Sequence, residues 1–217
     1  MNGKLANLES NDLDFSEVRN IILPANNIYD IPDLSSDFCA DFFEGPSYAW
    51  RGPNAAIAKK ARLWHFYTND MHFSSLKKRH ALPLQTIAPA LVEPNFSIDG
   101  DSVFCVAVTA IYWKRFLARF WQSYGRYIYV DLNVPEKYQE LNLIGVPKGW
   151  RAYATRGVAG RCNVKPIETI LSEEKELAMN HAESKDILFV VFAGGKAARE
   201  WCRENAAHHV DDYRGDR

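Results

Sequence analysis

The sequence predicts a single α/β domain whose largely parallel sheet is either open or an incomplete barrel. Three observations lead there. From Arg62 onward, short apolar runs rich in β-branched and aromatic residues alternate with longer helical segments, the rhythm of β-α units. The 217 residues suit one domain, and they fall short of the about 250 residues and eight units of a full barrel. A hydrophobic share of 47%, with 13% aromatic, supplies enough apolar side chain for one sizeable core and sets global disorder aside.

Residues 1–60 read as an irregular N-terminal extension packed on the core, because Pro24, Pro32, Pro46 and Pro53 interrupt its short apolar runs. Residues 61–217 read as the α/β domain. Strands are predicted over Leu63 to Thr68, Ala90 to Glu93, Tyr127 to Asp131, Arg151 to Thr155 and Ile187 to Phe192, with a weaker one at His208 to Val210, which makes five to six β-α units. The best helix spans Val103 to Tyr124. Asp101 or Ser102 would cap its start, Gly125 would end it in a left-handed conformation, and its nearly all-round apolar surface predicts burial on more than one side. A second helix, Ile167 to Ala182, is amphipathic: Ile167, Ile170, Leu171, Leu177 and Ala178 share the inner face, and Glu173, Glu174 and Lys175 are expected in solvent. A third runs from Ala197 to about Asn205.

Composition narrows the function. With 26 Lys+Arg against 27 Asp+Glu the chain does not coat a polyanion by bulk charge, which leaves only a local basic patch for that purpose. The longest apolar stretch, Val103 to Tyr112, is well short of the roughly 20 residues of a membrane span, and the first residues lack a signal-peptide core, so no membrane and a cytoplasmic location are expected. Cys39, Cys105, Cys162 and Cys202 are too widely spaced for zinc or redox motifs and are expected to be reduced, mostly buried thiols.

In parallel α/β folds ligands bind at the carboxyl ends of the strands, where loops gather and helix N-termini point. Every predicted strand here ends in polar residues: Thr68-Asn69-Asp70, Glu93-Pro94-Asn95, Asp131-Leu132-Asn133, Thr155-Arg156-Gly157 and Ala193-Gly194-Gly195-Lys196. Asp70, Glu93 and Asp131 are the candidate catalytic carboxylates. Asp70 and Asp131 would be the ligands of a divalent cation such as Mg²⁺, or two of the three would divide acid and base work; the plainer alternative is that these residues only cap helices and shape turns. Arg156 with Gly194, Gly195 and Lys196 forms a candidate anion site, although Arg156 reads equally as one half of a salt bridge across the rim, and the Gly-Lys pair is not a Walker A loop and reads equally as a tight turn with a solvated Lys. Arg115 and Arg119 share a helix face with Gln122 beside Trp113 and Trp121; they would clamp a phosphate or stack a base, or else form the helix's one solvent-facing strip or pair with the carboxylates.

The blocks Trp64 to Asp70, Glu93 to Ser97, Tyr112 to Tyr124, Tyr129 to Val134, Gly145 to Trp150 and Tyr153 to Gly157 resemble, in order and spacing over about residues 48–212, an uncharacterised family of phage, plasmid and other mobile-element genomes. The resemblance implies an α/β core and a mobile-element setting, and nothing about catalysis. The family's first block has two consecutive Asp where this chain has Asn69-Asp70, which lowers the charge of any metal site there. The expected function is action on a phosphate-bearing ligand, a nucleotide or nucleic acid, at the strand ends. The alternatives are a non-catalytic DNA- or protein-binding module and, more weakly, a carbohydrate-directed enzyme with paired carboxylates.

Overall fold

Seven short strands, all parallel, form one sheet in the order in which they occur along the chain, in a computed structural model that describes residues 23–52, 54–157 and 165–211. They are β1 (Ser47–Ala49), β2 (Leu63–His65), β3 (Ala90–Val92), β4 (Tyr127–Asp131), β5 (Ala152–Arg156), β6 (Leu188–Phe192) and β7 (His208–Val210). The helices are α1 (Ala55–Ala58), α2 (Ser74–Lys78), α3 (Phe104–Gln122), α4 (Gln139–Asn142), α5 (Ile167–Ala182) and α6 (Gly195–Glu204). Strand order that never reverses means that each crossover turns the same way, so the helices collect on one face and the other face curls onto itself. The sheet is nearly closed into a barrel. His65 on β2 and Phe192 on β6 touch across the interior with ring centroids 4.3 Å apart, although three strands separate them in the sheet.

Alternation along each strand makes two cores. Outward side chains such as Phe66, Leu91, Ile128, Val130, Phe189 and Val191 pack with Phe116, Leu117 and Trp121 of α3, Leu171 of α5 and Trp201 of α6. Inward ones, Leu63, Ala90, Val92, Tyr129, Ala152, Ala154 and Val190, form a separate cluster inside the barrel. The N-terminal segment plugs the gap that seven strands leave. Cys39 bridges to Ile128 and the Ala40 N–H donates to the Ile128 carbonyl at 3.3 Å, so the segment lies where the β4–β5 ladder has not yet begun; that ladder starts at Val130↔Tyr153. Phe42 then meets Tyr127 edge-on at 5.6 Å, and Phe43 reaches His208 of β7 at 4.6 Å.

β4, β7 and α5 have the predicted limits. The seventh strand, β1, falls inside the stretch read as irregular extension; it is only three residues long and pairs with β2 from Ser47↔Leu63 to Ala49↔His65. The start of α3 differs from expectation. Val103 occupies the cap position without a side-chain bond, because the Ser102 hydroxyl accepts instead from the Asp99 N–H at 2.9 Å. Its end is as expected: Gly125 is left-handed at φ 77 and the Arg126 N–H returns to the Trp121 carbonyl at 3.2 Å, a Schellman-type closure. On α5, Glu174 is buried rather than solvated, since it lies three residues after Leu171 and four before Ala178 on the inward face. Cys105 is exposed, Cys39 half-buried and Cys202 buried, the last with its thiol pushed up to about 11 by desolvation; all three are free. Cys162, like residues 1–22, lies outside the described residues. Among those described, no helix is long and apolar enough to cross a membrane.

Candidate functional site at the barrel mouth

The inward positions change character along the barrel axis. At the amino end they are Leu63, Ala90, Ala152 and Leu188; two to four residues later the same alternation delivers His65, Tyr67, Asp131, Arg156 and Phe192. The Tyr67 and Phe192 rings lie 5.1 Å apart and Tyr67 Oη donates to Asp131 Oδ1 at 2.8 Å, so β2, β4 and β6 converge at this end. Parallel strands reach the mouth with the same polarity, which is why one register step changes the whole layer together.

Asp131 is the most heavily supported group. Its carboxylate is fully buried and accepts from Tyr67 and from the Asn133 N–H at 2.9 Å, while Lys114 Nζ of α3 lies 2.9 Å from Oδ2. Lys114 also donates to the Asp131 carbonyl at 2.9 Å and to Asn142 Oδ1 at 2.7 Å. Beside it, Arg115 pairs with Glu93 and donates to the Ile144 and Asn142 carbonyls. The two pairs are joined, because the Asp131 N–H donates to Glu93 Oε2 at 3.1 Å. Consecutive residues of one helix thus neutralise the carboxylates at the ends of β3 and β4. Truncating one member of such a pair leaves a buried charge and costs about 3–5 kcal/mol.

Besides Asp131 Oδ2, which has only its ion pair with Lys114, the buried polar atoms His65 Nδ1, Thr68 Oγ1 and Asn133 Oδ1 have no hydrogen-bond partner among the described residues. Each would gain about 1–3 kcal/mol from a ligand that satisfies it. Asn133 is positioned by its amide, which donates to Asn95 Oδ1 at 2.8 Å. Burial and then the nearby Arg156 charge push the His65 imidazole down to about 3, so it is neutral at every physiological pH.

The sequence-predicted residues fall into three groups. Asp131 and Arg156 belong to the mouth. Glu93 and Arg115 are enclosed in their mutual ion pair, fully buried. Asp70 is exposed and accepts from the Ser97 N–H at 3.2 Å and hydroxyl at 3.0 Å, which ties the β2 and β3 exits together. Arg119 turns along its own helix to Ser123. Gly194 serves packing: a Cβ there would lie 2.2 Å from the Gly157 carbonyl oxygen. A Cβ on Gly195 would meet nothing within 4 Å, and Lys196 is exposed and pairs with Glu200 at 3.7 Å. Among the described residues no three His, Cys, Asp or Glu side chains gather as cation ligands. Tyr67 and the role of Lys114 were missed; the period-two step from Leu63 through His65 points to Tyr67, whereas nothing in the spacing pairs Lys114 with Asp131.

No family model, no curated protein and no solved structure matches this chain.

Proposed function

We propose that the barrel mouth binds a phosphate-bearing ligand of the nucleotide kind, in a cytoplasmic protein of the phage and plasmid type that its motifs resemble. The observation that carries the reading is the single polar layer that replaces the apolar interior at the carboxyl end only. Arg156 supplies the anion-binding charge, and its planar fork suits phosphate oxygens. Asn133 Oδ1 and His65 Nδ1 are acceptor positions that the hydroxyls of a sugar would fill, which favours a nucleotide over phosphate alone. Tyr67 and Asp131 provide acid–base capacity: Tyr67 Oη takes a proton from a ligand hydroxyl while its own proton passes to Asp131 Oδ1. The carbohydrate reading gains no support, since it needs two carboxylates facing the substrate and Glu93 faces Arg115. The test is calorimetric titration of nucleoside monophosphates and inorganic phosphate into the protein and its Arg156→Met variant. The expected result is tighter binding of a nucleotide than of phosphate, with at least a tenfold loss in the variant. Absence of nucleotide binding, or equal affinity in both proteins, contradicts the proposal.

A further inference from the structure

A second region has a different chemistry. Outside the barrel, against β1 and β2, lies a groove of about 610 Å³ whose walls carry Tyr48, Trp50 and Trp64 together with Arg51, Lys59 and Arg79, and no carboxylate. The larger cleft of about 720 Å³ between α5 and α6 offers no comparable bias, because Lys175 and Lys185 there face Glu176 and Glu183.

The charge bias extends beyond the walls. Between Gly45 and Val92 the chain carries Arg51, Lys59, Lys60, Arg62, Lys77, Lys78 and Arg79 against one acid, Asp70, although the whole chain is net -1. Lys59, Lys60, Lys78 and Arg79 are exposed, and among the described residues none of them is in an ion pair. Local structure holds the groove open. Asn54 caps α1 by accepting from the Ala56 and Ile57 N–H groups at 3.0 and 3.1 Å, which directs the helix and Lys59 along one wall. Arg51 sits in a left-handed turn, φ 63, with its guanidinium 5.3 Å over the Trp50 ring and a bond to Ser75 Oγ at 3.2 Å.

Of the three aromatic side chains in the wall, Tyr48 and Trp50 are buried and Trp64 is partly exposed. Tyr48 and Trp64 lie 5.0 Å apart and Trp50 and Trp64 6.0 Å apart, with Trp64 half-buried and its indole N–H without an acceptor. Cations along a channel that exposes part of the Trp64 ring match a single nucleic-acid strand: phosphates meet the cations and an unpaired base lies against the ring. A duplex keeps its bases stacked and cannot use the ring.

We infer that this groove is a binding site for single-stranded nucleic acid, independent of the barrel mouth. The test is fluorescence anisotropy with a labelled oligothymidine and with a duplex of matching length, titrated across salt concentrations. Single-strand binding should exceed duplex binding, with log K falling against log salt at a slope of about -2, as about three phosphate contacts require. Lys59→Gln and Arg79→Gln should each reduce the slope's magnitude by about 0.7, with unchanged circular dichroism, while Lys185→Gln beside the other cleft should not. No single-strand binding at low salt, equal or tighter duplex binding, or identical slopes in all four proteins would overturn the assignment. An effect of Arg156→Met on nucleotide binding does not enter this test, so the two sites stand or fall separately.

Discussion

The mouth and the outer groove use the same residue types in opposite ways. At the mouth, Lys114 and Arg115 are fully buried and each is paired with a carboxylate, so these two cations act as scaffolding for Asp131 and Glu93. In the groove, Lys59 and Arg79 are exposed and unmatched, so their charge is available to a partner. A buried cation is retained because its removal strands a carboxylate, whereas an exposed one contributes almost nothing to the fold. Location rather than residue type therefore separates structural from binding cations in this molecule.

The largest effect should come from breaking the buried pairing. Lys114→Met leaves Asp131 without its cation, and urea unfolding should show a loss of about 3–5 kcal/mol. Adding Asp131→Asn should recover part of that loss; a double variant as unstable as the single one would mean that Lys114 acts through packing alone.

The next effect is on pH dependence. The folded His65 imidazole titrates at about 3, below the ordinary 6.5, so the unfolded chain binds the extra proton first. Its contribution is complete above pH 6.5 and is lost as the pH falls toward 3. His181, pushed down to about 4 mainly by burial, acts in the same direction. Between pH 6 and pH 4.5, His65→Phe should therefore flatten the fall in stability by up to about 1.4 kcal/mol per pH unit, leaving the His181 share. An unchanged slope would place His65 in a solvated setting.

The smallest effect sharpens the contrast from the other side. Lys59→Gln and Arg79→Gln should shift unfolding by less than about 0.5 kcal/mol. A loss of 2 kcal/mol or more would assign them structural roles like that of Lys114.

Much of the architecture was legible in the chain. The runs Tyr127 to Asp131 and Ile187 to Phe192 stand out as apolar strands, and α5 shows its period over four turns. β1 was not legible, because Ser47-Tyr48-Ala49 is too short to show a period and Pro46 and Pro53 flank it. Strand-end polarity led to Asp131 and Arg156, and equally to Glu93, since position in a strand does not tell which carboxylate a helix will cover. That choice is made by tertiary packing, when Lys114 and Arg115 reach adjacent strands from one turn of α3. The groove was hidden for a similar reason: its aromatics and cations come from segments around residues 50, 60 and 80 that only the fold brings together.

The central claim, a ligand site in the polar layer of the barrel, is tested most directly by following the His65 ring nitrogens by NMR during addition of a nucleoside monophosphate. The account predicts saturable movement of the Nδ1 resonance, which the Arg156→Met variant abolishes at the same nucleotide concentration. A His65 signal that stays fixed while the protein binds nucleotide would place the ligand elsewhere and contradict the claim.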